Sequence, residues 1–287
     1  MPALKTIALT AIAMIAFAAN SLLCRLALQK GSVDPASFAS IRLVSGAIVL
    51  VAIVRLRSVP STTLQRVSTR ADWLAVTMLF VYVAFFSFAY VSLPAGTGAL
   101  ILFGAVQLTM LGAGLRSGER FALVAWVGLL LAGAGLVVLV LPGVAAPPPL
   151  GAALMAIAGV AWGVYSLRGR TAAADPLAAT ARNFVRAAPL ALVLNLLFIT
   201  GAHADAAGLA LAMASGALTS GVGYVVWYAA LRHLTAMRAA TVQLSVPLIA
   251  AFGGVAWLAE AITPRLMMAS IAILGGIALV LAARTPR

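Results

Sequence analysis

The chain has 287 residues, of which 64% are hydrophobic and only 9% charged. A soluble domain carries about 45–50% apolar and about 25% charged residues, so too few charges are present to clothe a water-facing surface. The formal net charge of +13 would suggest nucleic acid in a soluble protein. Here the basic residues sit between apolar runs, where they report topology, and no nucleic-acid partner is expected. A single cysteine, Cys24, excludes an internal disulfide and any multi-cysteine metal site.

About 20 apolar residues cross a bilayer core as a helix, because no water is available there to satisfy a broken backbone. Ten such runs occur in order: 7–28, 36–54, 73–92, 96–115, 121–141, 150–167, 177–200, 209–231, 239–259 and 266–283. Lys5 followed by an apolar run imitates a secretory signal, and Ala16-Phe17-Ala18 imitates its cleavage site. The run is long enough to span, however, so it is read as the first membrane helix. Short loops carry proline or glycine punctuation, as at Asp34-Pro35, Pro142-Gly143 and Thr263-Pro264, and leave no room for a soluble domain.

The charges orient these helices. With the N-terminus inside, the cytoplasmic segments hold thirteen basic residues, and the outside loops hold two, Lys30 and Arg265. Such a bias over short loops is the positive-inside signal, and it puts both termini in the cytoplasm. The other four, Arg25, Arg42, Arg182 and Arg186, fall within the spans. Arg25 is expected to snorkel outward, and Arg182 and Arg186 to reach headgroups or Asp175. Arg42 lies about two turns below the outer surface, where pairing with Asp34, capping of neighbouring carbonyls or a gating role are the options.

A shift of 141 residues superposes Asp34-Pro35 on Asp175-Pro176, Gly112 on Gly253, Glu119 on Glu260 and Gly135 on Gly276. The two Asp and two Glu of these pairs are four of only six acids in the chain, which makes chance agreement a poor account. Residues 1–142 and 150–287 thus read as two five-helix repeats. Five is odd, so the second repeat enters the membrane upside down. Inverted repeats with a solute site near the midplane characterise many secondary transporters. The expected fold is an all-α integral membrane protein of ten transmembrane helices in a 5+5 inverted arrangement, with a central cavity lined by helices 1, 3, 4, 6, 8 and 9.

The sequence resembles the EamA-type branch of the drug/metabolite transporter superfamily, and within it the YddG-like amino-acid exporters. The resemblance is carried by both Asp-Pro pairs, Trp162-Gly163, Pro247, Glu119, Glu260 and Arg42. In the first half, Ala19-Asn20 stands where a Trp-Gly pair is usual and Val106 where a proline is usual. The resemblance implies alternating access and export of amino acids or related metabolites across a bacterial inner membrane.

His203 and His233 fall on opposite sides of the bilayer and the acids lie near helix ends, so neither a metal cluster nor paired intramembrane carboxylates can be assembled. No enzyme activity and no cofactor are expected. The same lack of mid-membrane acids argues against a buried proton relay. Facilitative transport, or coupling at Glu119 or Glu260, remains. The polar and aromatic residues left near mid-membrane are the candidate substrate contacts: Asn20, Tyr82, Phe86, Gln107, Trp162, Tyr165, Tyr224, Tyr228, Gln243 and Ser245. Thr219 and Ser220 share that depth. Aromatic walls and amides suit a ligand with an apolar body and a zwitterionic head. No arginine is expected at the centre, which disfavours sugar phosphates. Arg42, Glu119 and Glu260 are the candidate gating or coupling residues. Gly221, Gly223 and Pro247 are expected to let helices bend. The expected partners are the lipid bilayer and a small-molecule substrate, with the protein as a monomer. The other readings are efflux of drug-like cations, which generally needs a membrane acid, and a non-transporting scaffold.

Reporters placed at Pro149 and at Arg287 are expected on opposite faces of the membrane in an accessibility assay; both on one face would break the five-helix count.

Overall fold

Every apolar run forms a helix in the computed structural model, which describes residues 2–57, 72–116, 122–143, 145–172, 175–234, 239 and 242–283. The helices are α1 (Pro2–Gln29), α2 (Pro35–Leu56), α3 (Trp73–Tyr90), α4 (Ala95–Arg116) and α5 (Leu123–Val140), then α6 (Pro149–Ala172) and α7 (Pro176–Leu197). After a short turn come α8 (Ala206–Leu231), α9 (Ser245–Leu258) and α10 (Pro264–Ala282). Among the described residues nine of these are long and apolar enough to cross a membrane, and α9 is a shorter apolar helix. The expected run of 239–259 is therefore not one continuous described helix. Its regular part begins two residues before Pro247, a position where proline's missing N–H goes unneeded.

The recurrence of Asp-Pro has a local cause. Asp34 accepts hydrogen bonds from the Ala36 and Ser37 amides, and Asp175 from those of Leu177 and Ala178, with proline in the first turn each time. Each carboxylate satisfies amides that have no intrahelical acceptor.

The repeats are antiparallel where they meet. Asn195 Nδ2 donates to Ser37 Oγ at 2.9 Å, and Ser40 Oγ donates to the Ala191 carbonyl at 2.8 Å. The start of α2 therefore meets the end of α7, its counterpart in the other half. The same holds for α5 and α10: Gly128 lies on Gly276 and Val280, Gly135 on Ala272 and Ile273. A Cβ on Gly128 would collide with the Gly276 carbonyl, so glycine is what permits this backbone approach. Two further close pairs, α3 with α6 and α1 with α8, interchange when helix numbers shift by five. This is the packing expected of an inverted repeat.

Both ends of the bundle are tied. On the face of Asp34, the α1–α2 and α7–α8 loops clasp each other: the Asp34 amide donates to the His203 carbonyl at 3.0 Å, and the Asp205 amide to the Ser32 carbonyl at 2.8 Å. Burial pushes the Asp34 carboxyl up. Hydrogen bonds from Ser37, the His203 amide and Ala36 outweigh it and hold the group below its ordinary value. The exposed His203 ring lies between the Gly201 carbonyl at 2.9 Å and the Gly31 carbonyl at 3.1 Å. Two acceptors suit a doubly protonated ring, and the Gly201 carbonyl above all raises its pKa from the ordinary 6.5.

On the opposite face Arg168 pairs with Asp72 at 2.9 Å. Partial burial of Asp72 is overcome by that hydrogen bond, and the carboxyl is held low. Arg55, Arg182 and Arg186 border an apolar groove of about 360 Å³ between α2 and α7. Asp175, offered above as a partner for Arg182 and Arg186, is engaged as the α7 cap.

Because the folded His203 is more basic than the unfolded one, its stabilisation is full below about pH 6.5 and fades as pH rises through the raised value. The gap in thermal melting between the natural protein and His203→Ala is expected to be widest near pH 5.5 and to shrink above neutrality, read by melting in detergent across pH.

Candidate functional site

Near the middle of the bundle, one polar chain joins the two repeats. Asn20 on α1 accepts hydrogen bonds from Ser215 Oγ at 2.7 Å and Thr219 Oγ1 at 3.3 Å, both on α8. Its amide nitrogen donates to the Tyr82 hydroxyl on α3 at 3.4 Å. That hydroxyl also accepts from Arg42 Nη2 at 2.9 Å, and Arg42 Nε donates to Ser220 Oγ at 3.3 Å. Between Ser215 and Val222, α8 widens into a π-helical stretch. The extra residue per turn brings Ser215, Thr219 and Ser220 to the same inner surface. Gly216 inside this stretch lies against Ser45 and the Arg42 backbone, where a Cβ would have no room.

Arg42 is 1% exposed. Its guanidinium lies over the Tyr82 ring at 5.1 Å and the Phe86 ring at 4.9 Å, contacts that favour a cation. Among the described residues the ion pairs are Arg25 with Glu260 and Arg168 with Asp72, and neither involves Arg42. Among the described residues its Nη1 is the one buried side-chain nitrogen or oxygen without a hydrogen-bond partner. Burying an ion without a counter-charge costs several kcal/mol, and a structure tolerates this only for a reason.

Arg42 borders a central cavity. Asn20, Ser21 and Phe17 line it from α1, Tyr82 and Phe86 from α3, Leu102 and Phe103 from α4. Trp162 lines it from α6, Thr219, Ser220 and Tyr224 from α8, and Gln243 from just ahead of α9. Trp162 forms a slab with Tyr224, ring centres 5.6 Å apart and planes 17° from parallel, and its centre is 4.7 Å from that of the tilted Tyr82 ring. The space is narrow: the centre of a water-sized sphere has about 20 Å³ to move in, roughly what one water requires. The walls must separate before an organic solute fits.

Six of the ten residues predicted to touch substrate line this cavity: Asn20, Tyr82, Phe86, Trp162, Tyr224 and Gln243. The other four lie elsewhere. The Tyr165 ring is tilted against that of Trp162 with centres 5.4 Å apart, and the Tyr228 hydroxyl is 3.0 Å from that of Thr180. Ser245 Oγ donates to the Val242 carbonyl at 2.6 Å, and Gln107 is buried in α4 outside the lining. The expectation of a centre without arginine is overturned, because the Arg42 side chain reaches inward and makes α2 a seventh contributor. Its offered partner Asp34 is occupied as a helix cap. Sequence reading also passed over Phe17, Leu102 and Phe103, whose apolar character carries no positional signal.

Arg25 does not snorkel. It pairs with Glu260 at 3.2 Å and donates to the Tyr90 and Val91 carbonyls at 3.0 Å. Glu260 also accepts from the Ala95 amide through both oxygens, at 3.0 and 2.8 Å. One carboxylate thus joins the ends of α1, α3 and α9 to the start of α4. Ala259 is left-handed, with φ of 52°, a conformation costing about 1–2 kcal/mol outside glycine. It folds the chain back so that Glu260 lies on Gly254, whose missing side chain makes the space. Glu119 falls outside the described residues.

A helical bundle of two repeats with an aromatic-walled cavity lined from both of them has the architecture of a multi-pass membrane transporter. The EamA-like transporter family matches residues 4–141 and again 149–282, and the chain belongs to that family. A Pseudomonas aeruginosa protein, uncharacterized protein PA1977, is 53% identical over 266 residues, which cover 93% of this chain and 91% of that one. A protein of known crystal structure shares the fold at 23% identity, with a TM-score of 0.65 over 95% of this chain and 98% of its own.

Tyr82→Phe removes the acceptor used by both Arg42 and Asn20, and is expected to lower stability by about 1–3 kcal/mol. Tyr228→Phe leaves Thr180 still bonded to the Pro176 carbonyl, and is expected to cost under about 1 kcal/mol. Thermal or denaturant unfolding in detergent compares the two.

Proposed function

We propose that this protein is a secondary exporter of amino acids or related small metabolites in a bacterial inner membrane, working by alternating access with both termini in the cytoplasm. The reading rests on one observation: a cavity lined from both repeats is bordered by Arg42, which has no counter-ion among the described residues, beside a wall of aromatic rings. A carboxylate head meets Arg42, and an apolar body lies on Trp162, Tyr224 and Phe86. The positive charge disfavours drug-like cations, and a scaffold has no use for a desolvated charge. The described lining holds no Asp, Glu or His, which supports facilitated movement over a buried proton relay.

In this reading the Arg25–Glu260 cluster is the outer gate, since it gathers the outer ends of four helices. Opening outward breaks it, and the π-helical stretch of α8 supplies the bend.

Reconstituted flux with a labelled panel of amino acids, nucleotide sugars and cations tests the function; carboxylate-bearing compounds are expected to move, and silence across the whole panel would refute the reading. For the gate, Glu260→Gln keeps the shape but drops the charge. A cysteine at Ser21, in a chain with Cys24→Ala, is expected to react several-fold faster with an impermeant thiol reagent from the outer side once Glu260→Gln is added. Unchanged labelling would remove Glu260 from the gate.

A further inference from the structure

We infer, on the basis of the transporter reading above, that the passenger carries a net negative charge, as an aromatic carboxylate with no ammonium group to balance it, and that the inside-negative membrane potential drives its export. The charge balance of the cavity carries this. Arg42 contributes a full positive charge, and the described lining contributes no negative one. The nearby carboxylates are committed elsewhere: Glu260 to Arg25 and the Ala95 amide, Asp34 to the α2 amides and His203. A monoanion therefore brings the cavity to neutrality. A zwitterion leaves it at plus one, and a cation takes it to plus two.

Hydrogen-bond capacity agrees. Arg42 Nη1 has a hydrogen to give and no acceptor among the described residues. The Tyr82 hydroxyl already accepts twice, from Arg42 and Asn20, so its own hydrogen is directed to a further acceptor. Two adjacent donors match two carboxylate oxygens. For an ammonium the described lining offers only neutral acceptors, since Asn20 Oδ1 is already taken by Ser215 and the Gln243 side-chain oxygen carries no charge. Beyond the donors stands the Trp162–Tyr224 slab, with the Tyr82 and Phe86 rings beside it. Such a wall selects a flat apolar body.

The energy source follows from the charge. A carrier that moves one negative charge outward per cycle works with the resting potential, so no buried acid or histidine is needed to couple it to protons. At equilibrium a monovalent anion is displaced about tenfold for each 59 mV.

Three compounds with one ring separate the possibilities: N-acetyltryptophan at minus one, tryptophan at zero and tryptamine at plus one. Flux is measured in proteoliposomes at pH 6.5, with protein-free vesicles subtracted and the potential set by potassium and valinomycin. N-acetyltryptophan is expected to leave at least about tenfold faster than tryptamine, equivalent to one discriminating interaction, and to speed up when its own compartment is made negative. In detergent it is expected to raise the melting temperature of the natural protein but not of Arg42→Gln. That variant without ligand is expected to melt no lower than the natural protein, since it sheds an uncompensated buried charge; a purely structural arginine would give a clear drop. If tryptophan moves as fast as N-acetyltryptophan and the potential has no effect, transport stands and the anion assignment falls. The assignment also falls if only non-aromatic or cationic members of the wider panel move. If nothing in either panel moves, the transporter reading fails with it.

Discussion

Hydrocarbon neither donates nor accepts a hydrogen bond, so each polar group that enters the bilayer has to find its partner inside the chain. Most do. Ser87 and Thr109 bond back to carbonyls four residues earlier, Ser40 reaches across to α7, and Arg25 finds Glu260 at the far end of the sequence. Against that background Arg42 stands out. It keeps its charge at the bundle centre with a hydroxyl on either side, two rings beneath it and one nitrogen idle. A free energy of several kcal/mol is held there, and any bound anion releases part of it.

The repeats share their packing but not their chemistry. Helices α2 and α7 cross at the same antiparallel contact from either side, as do α5 and α10. The 141-residue shift, however, places Asn183 opposite Arg42 and Gly223 opposite Tyr82. The duplicated scaffold thus holds one site rather than two. Both halves still serve it, α3 providing the tyrosine and α8 the serine that flank the same guanidinium.

The helices, their caps and their doubling were legible because each leaves a local mark: an apolar run, an Asp-Pro pair, a recurring glycine. The facing of a polar side chain leaves none when every side of the helix is apolar. Ser245 and Tyr228 looked free in the sequence and are satisfied by Val242 and Thr180. Arg42 looked peripheral because its distance from Asp34 fixes backbone depth, and a long side chain can extend inward as well as outward. One clue was available: α2 contains no acid at all, so its interior arginine had no neighbour on its own helix to pair with. Arg25 lacked a local acid as well, and its partner lay 235 residues away, beyond what spacing reveals.

The π-helical stretch of α8 has no twin. Its counterpart α3 runs as an unbroken α-helix from Trp73 to Tyr90, stiffened by a column of Tyr82, Phe86 and Tyr90 rings. A spare residue in one wall and a rigid rod in the other make the two halves mechanically unequal. Any movement of one half against the other would then be lopsided, with α8 the wall that can deform and α3 the one that keeps its shape.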